Sequence, residues 1–119
     1  MRNQPRYHFL KNTRYALKGL LDLITTETSF KIELILVFLL FPVIIFIETS
    51  LTNKLIMFVT LSGMLLTEAM NSAIERVVDL VTLDHHEMAG RAKDAGSAAV
   101  LISIVIFIVT WMIIIVPFF

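Results

Sequence analysis

Five polar residues recur at helical spacing in the middle of this 119-residue chain, directly after the apolar run LIMFVTLSGMLLT. Their positions run i, i+3, i+4, i+7 and i+11, which places them on one face of an α-helix. An ionisable side chain costs roughly 2.5–3.5 kcal/mol at the centre of a membrane helix. Such residues therefore face a partner or a wet cavity rather than lipid, unless the helix has already left the bilayer near their lower end. This polar stripe consists of Glu68, Asn71, Ser72, Glu75 and Asp79.

Carboxylates on such a stripe suit divalent-metal and phosphate chemistry. Mg²⁺ prefers oxygen ligands and is often held by one or two carboxylates together with nucleotide phosphates. A further carboxylate in apolar surroundings can act as a general base. Glu27 lies outside the stripe and is a candidate second metal ligand. The alternative interpretation is that Glu27 is simply a charged residue at the membrane interface.

A second group of candidates lies in the polar segment after the stripe. The sequence GRAKD offers Arg91 and Lys93 as phosphate partners and Asp94 as an acceptor for a ribose or base, although basic residues beside membrane helices also serve as topology anchors. His85 and His86 are adjacent, so on a helix they could not both face one metal. We interpret them as loop residues near nucleotide. With four glycines the chain forms neither GxxxxGK[ST] nor GxGxxG, so any ATP site differs from those of soluble kinases.

The composition indicates that lipid surrounds much of the chain. Hydrophobic residues make up 57% of the sequence, more than a small soluble domain can bury. Cysteine is absent, which excludes a disulfide framework and a thiolate metal site. We find no internal repeat or domain boundary and treat residues 1–119 as a single membrane domain.

The hydrophobic pattern predicts an all-α membrane protein with three spans behind a surface helix. Residues 6–26 place leucines and isoleucine on one side and basic residues off it, as in an amphipathic helix on a membrane surface. An ordinary solvated helix packed on a core is the alternative. The predicted spans cover residues 29–48, 55–80 and 96–118, and residues 82–94 are expected to form a polar loop.

The distribution of basic residues predicts the orientation in the membrane. Five of the ten lysines and arginines lie in the first eighteen positions, and three more lie between residues 76 and 93. By the positive-inside rule, the N-terminus and the 82–94 loop face the cytoplasm, while the 48–54 turn and the C-terminus face outward.

Two longer stretches complete a recognisable pattern. The segment EAMNSAIERVVD followed by HEMAGRAKDAGSAAVLI resembles the prokaryotic diacylglycerol kinases, which are small integral membrane enzymes. The likeness includes YALKGL and extends over nearly the whole chain. It implies transfer of the ATP γ-phosphate to diacylglycerol, giving phosphatidic acid, in a bacterial cytoplasmic (inner) membrane. Relatives that phosphorylate undecaprenol share the glutamates, but the GRAKDAGSAAV ending is more similar to the diacylglycerol branch.

The resemblance also implies roles for individual residues. Glu68 matches the general base and Asn71 the residue that positions the reacting groups. Glu27 and Glu75 match ligands of a Mg²⁺ ion that bridges to the ATP phosphates. The remaining family positions that line nucleotide are Tyr15, Asp84, His85, His86, Lys93 and Asp94, with His8 standing where the family often has an arginine. Those for lipid, besides Glu68, are Glu33 and Ser97.

The family resemblance also implies how the chains assemble. Members of the family are homotrimers with active sites shared between subunits, which suits three spans that cannot shield a carboxylate stripe by themselves.

A proton-coupled transporter would use one buried carboxylate but needs neither a second glutamate two turns away nor a basic loop. A structural membrane subunit would use the stripe as an assembly contact. No nucleic-acid partner is expected.

Overall fold

The computed structural model describes residues 6–119, and within that range the chain is helical without strands. The all-α prediction is therefore confirmed for the described part of the chain. Arg2, one of the basic residues counted above, lies outside it. The elements are helices α1 (Phe9–Thr26), α2 (Thr28–Phe46), α3 (Leu51–Val81) and α4 (Glu87–Ile115), followed by a 3₁₀ helix (Val116–Phe118).

The junctions between helices are short and locally determined. Glu27 is the only residue between α1 and α2, and its extended backbone, with φ −106° and ψ 110°, turns the chain from one helix into the next. Ser50 caps α3 by accepting a hydrogen bond of 3.1 Å from the backbone N–H of Asn53, which satisfies one of the free donors at a helix start. Pro42 lies inside α2 without ending the helix.

The loop predicted over residues 82–94 is shorter in the structure, because α4 already begins at Glu87. His86 caps this helix through Nδ1, which accepts a 3.1 Å hydrogen bond from the backbone N–H of Met88. Glu87 then places a negative charge in the first turn, where the helix dipole favours it. Alanines among the polar residues add helix propensity. The polarity of this segment was wrongly taken to indicate a loop. Lys93 and Asp94 are helical residues.

The core lies where α3 packs against α2 on one side and α4 on the other. Trp111 donates from Nε1 to the backbone carbonyl of Met57 at 3.2 Å, which ties α4 to α3 inside the apolar layer. Phe107 and Trp111 form an edge-to-face pair with ring centroids 5.0 Å apart, an arrangement that aromatic rings prefer. The buried core residues are Ile44, Met57, Leu61, Met64, Phe107, Trp111 and Ile114.

Three helices are long and apolar enough to cross a membrane: α2, α3, and α4 with its 3₁₀ extension. Much of their apolar surface points away from the core of the chain, with Phe38 72% and Ile113 68% exposed. In water such surface would be strongly unfavourable, so lipid or a further subunit is its natural surrounding. The prediction of three candidate membrane spans is thus confirmed.

Candidate active site

The polar stripe lies on α3 and changes from buried to open along the helix. Glu68 is 7%, Asn71 8% and Ser72 2% exposed. Glu75 is half-buried and Asp79 is exposed. The upper stripe therefore packs inside this chain, whereas the lower stripe is accessible from the polar end of the helix.

Asn71 joins the two halves of the stripe. Its Nδ2 donates to Glu75 Oε1 at 3.3 Å, one turn further along α3. Its Oδ1 is buried and has no hydrogen-bond partner among residues 6–119. Buried polar atoms are normally satisfied, so this carbonyl oxygen is an acceptor available to a bound molecule.

Further carboxylates approach the stripe from α2 and from the α1–α2 junction. Glu33, on α2, lies within electrostatic range of Glu68, and its Oε2 is buried and has no hydrogen-bond partner in the described part of the chain. The charged neighbours of Glu68 are Glu75 and Glu27. Glu27, Glu33 and Glu75 thus lie within electrostatic range of Glu68. An excess of carboxylates there, with few cations, favours a ligand that brings positive charge.

The convergence does not by itself form a complete metal site. Among residues 6–119, no three histidine, aspartate or glutamate side chains come close enough together to hold a metal ion. Mg²⁺ commonly uses only one or two protein carboxylates and takes its other ligands from phosphates and water. The residues present therefore fit a metal ion that enters with a nucleotide.

Glu27 is held by Arg76, a residue for which no motif in the sequence predicted a role in the site. Arg76 donates to Glu27 Oε1 from Nη2 at 2.9 Å and from Nε at 3.3 Å. The same guanidinium contacts Asp22 and donates to Thr26 Oγ1 at 3.0 Å. Arg76 thereby joins α3 to the end of α1. The only signal in the sequence was its position beside Glu75, since its partners lie about fifty residues away.

A cavity of about 190 Å³ lies at the polar ends of α3 and α4. Four of its lining residues were predicted to contact ATP, while Lys93 also forms a 2.7 Å ion pair with Asp79 at the end of the stripe. This ion pair links the cavity to the stripe. The predicted residues in the lining are Asp84, His85, His86 and Lys93.

The remaining predicted residues lie elsewhere within the single chain. His8 and Tyr15 share a separate cleft of about 200 Å³ on α1 with Arg6, Lys11 and Asn12. Asp94 and Ser97 are exposed on α4 and line neither space. One chain therefore brings together the carboxylates and, separately, the α3–α4 cavity residues, but not the α1 residues with either group.

Comparison with known proteins places the chain in a family. Residues 14–115 match the family model described as prokaryotic diacylglycerol kinase. The diacylglycerol kinase of Haemophilus influenzae is 36% identical over 104 residues, covering 87% of this chain and 88% of the relative. The corresponding Escherichia coli enzyme is also 36% identical over 104 residues, with 87% and 85% coverage. The undecaprenol kinase of Bacillus subtilis is 32% identical over 109 residues, with 92% and 89% coverage. The chain belongs to the prokaryotic diacylglycerol kinase family.

Proposed function

We propose that this protein is an ATP-dependent diacylglycerol kinase of the bacterial inner membrane. It transfers the γ-phosphoryl group of ATP to the free hydroxyl of diacylglycerol and releases phosphatidic acid and ADP. The observation that carries the proposal is the α3 stripe, which runs from buried Glu68 and Asn71 to an open end joined to the α3–α4 cavity by the Lys93–Asp79 ion pair. A lipid can reach the buried end and a nucleotide the open end.

Glu68 acts as the general base. Its carboxylate removes the proton of the lipid hydroxyl as the hydroxyl oxygen attacks the γ-phosphorus. A new oxygen–phosphorus bond forms, the bond to the β,γ-bridging oxygen breaks, and ADP leaves with that oxygen. The burial of Glu68 supports this role, because a carboxylate shielded from water is positioned for a lipid hydroxyl rather than for bulk solvent.

Asn71, Glu75 and Glu27 prepare the phosphate end of the reaction. The 3.3 Å bond from Asn71 Nδ2 orients the Glu75 carboxylate, and the free Oδ1 can accept a hydrogen bond from a reacting group. Glu75 and Glu27 would hold Mg²⁺, which when bound neutralises phosphate charge. Arg76 holds Glu27 in place at the helix junction before the metal enters.

The nucleotide occupies the polar end of the bundle in this proposal. Lys93 pairs with phosphate, while Asp94 and the 84–86 loop contact the ribose or base. The α1 residues His8 and Tyr15 complete the nucleotide contacts. Glu33 and Ser97 contact the lipid, and the buried Oε2 of Glu33, which has no partner among the described residues, is an acceptor suited to a lipid hydroxyl.

A homotrimer with active sites shared between subunits completes this arrangement. The α1 cleft and the α3–α4 cavity are separate within one chain, so residues from a neighbouring chain are a route to a single site. The broad exposed apolar faces of the spans supply contact surface for such packing. The trimer would also shield Glu75, which one chain leaves half-exposed.

Undecaprenol is the alternative lipid, because the chain is also similar to the undecaprenol kinase of Bacillus subtilis. Purified protein in mixed micelles with MgATP, supplied with either diacylglycerol or undecaprenol, distinguishes the two. We expect a higher kcat/KM for diacylglycerol. A higher value for undecaprenol would reassign the lipid, and phosphorylation of neither would remove the kinase proposal.

We expect Lys93→Ala to raise the KM for MgATP by roughly 10-fold or more, since the substitution removes a charge-assisted hydrogen bond to phosphate. Lys54→Ala is the matched control, because Lys54 binds the carbonyl of Ile45 at the opposite end of the bundle. Equal KM values for the two variants, measured by steady-state kinetics, would exclude Lys93 from the nucleotide site.

We expect a tag after Phe119 to be accessible from outside the inner membrane and a tag before Met1 to be inaccessible. The physical reason is the excess of basic residues near the N-terminus and in the 76–93 segment, combined with three spans. Labelling of both tags from the same side would contradict the three-span orientation.

A further inference from the structure

Gly96 lies where α4 packs against Asn71 of the polar stripe. The glycine is buried, and a Cβ atom placed on it would lie 2.4 Å from Asn71 Oδ1. The next nearest atoms, at 3.5 and 3.6 Å, are at ordinary contact distance. The four glycines all lie within residues 6–119, and a Cβ on Gly19, Gly63 or Gly90 would meet nothing within 4 Å. The absence of a side chain is therefore used specifically at Gly96.

The atom that fills this space belongs to a side chain with few other restraints. Within the part of the chain that the structure describes, the Asn71 side chain makes one hydrogen bond, from Nδ2 to Glu75, and its Oδ1 has no partner. The orientation of the amide thus depends on the space left by Gly96 as well as on Glu75. A methyl group at position 96 would force the amide to rotate, and rotation would move Nδ2 away from the Glu75 carboxylate.

We propose that Gly96 is a positioning residue for the phosphoryl transfer and acts through Asn71. The space beside Gly96 holds Oδ1 against α4 and thereby keeps Nδ2 on Glu75. The inference rests on the proposed function, which gives Asn71 its place between the base and the metal ligand.

The contact geometry separates this role from a structural one. The severe contact is with the end of one side chain and not with backbone, so the helices can keep their packing if the amide moves. Alanine is also the better helix former. The fold should therefore tolerate Gly96→Ala while the reaction does not, since a displacement of about 1 Å in a site can cost roughly 10²-fold in rate.

The first experiment compares Gly96→Ala with Gly63→Ala, the matched change on α3 where a Cβ meets open space. We expect Gly96→Ala to lower kcat by about 10²-fold, with a KM for MgATP and a melting temperature close to those of Gly63→Ala. A kcat equal to that of Gly63→Ala would overturn the inference. A loss explained by a lowered melting temperature or failure to fold would overturn it as well, because the role would then be structural.

A double-mutant cycle tests whether the effect passes through Asn71. In an Asn71→Ala background, assayed at raised enzyme concentration, the clashing oxygen is gone, and adding Gly96→Ala should cost less than about twofold. The same loss in both backgrounds would overturn the inference. Both experiments on Gly96 require that the wild-type protein is active. If the wild-type protein formed no phosphatidic acid, that result would count against the proposed function. It is thereby distinguished from a failure of the inference about Gly96.

Discussion

Replacing Glu68 with glutamine is expected to lower kcat by about 10²–10⁴-fold, the range for loss of a general base. The apparent affinity for MgATP should remain within a few-fold, because Glu68 lies at the buried end of the stripe and the nucleotide enters at the open end. Glutamine keeps the volume of the side chain but cannot accept the proton of the lipid hydroxyl. Steady-state kinetics with both substrates varied separates the effect on kcat from the effect on binding.

Glu48→Gln provides the matched control for this substitution. Glu48 is an exposed carboxylate in the turn between α2 and α3, at the end of the bundle opposite the cavity. The Glu48→Gln substitution should leave both kcat and the apparent affinity for MgATP unchanged. Near-normal turnover of Glu68→Gln, or a failure caused only by lost nucleotide binding, would show that another group is the base.

Glu75→Gln is expected to raise the Mg²⁺ concentration required for half-maximal rate by about 10-fold or more. The substitution removes an anionic ligand but keeps an oxygen that can accept the hydrogen bond from Asn71 Nδ2. Folding and assembly should therefore persist while metal use is impaired. A Mg²⁺ titration at fixed ATP measures the shift directly.

A carboxylate outside the stripe supplies the control for this result. Glu87→Gln changes an exposed carboxylate in the first turn of α4 and should leave the Mg²⁺ dependence as in the wild type. If Glu75→Gln and Glu87→Gln gave superimposable titrations, Glu75 would not be a metal ligand.

The features predicted correctly from the sequence are those that local spacing determines. The stripe on α3 follows from helical periodicity alone, and the three candidate spans follow from length and apolar composition. The early start of α4 was missed because Glu87, Arg91 and Lys93 were interpreted as loop residues from their polarity. The His86 cap and the alanines between these residues instead favour a helix.

Contacts between distant segments account for what the sequence did not predict. Arg76 and Asp22 are separated by 54 positions, and each alone has the appearance of an ordinary surface charge. Gly96 and Asn71 come together only when α4 packs on α3. Glu33 and Glu68 come within electrostatic range of each other only when α2 packs on α3. Helical spacing predicted Glu68, whereas Glu33 followed only from the family resemblance.

The most direct test of the central claim follows the label from ATP that carries a marked γ-phosphate. Purified wild-type protein in mixed micelles containing diacylglycerol and Mg²⁺ is assayed for labelled phosphatidic acid, inorganic phosphate and ADP. We predict that labelled phosphatidic acid appears in equal amount to ADP, that free phosphate stays near background, and that Glu68→Gln suppresses the formation of both labelled phosphatidic acid and ADP. ADP and free phosphate formed without labelled lipid would contradict transfer to diacylglycerol at this site.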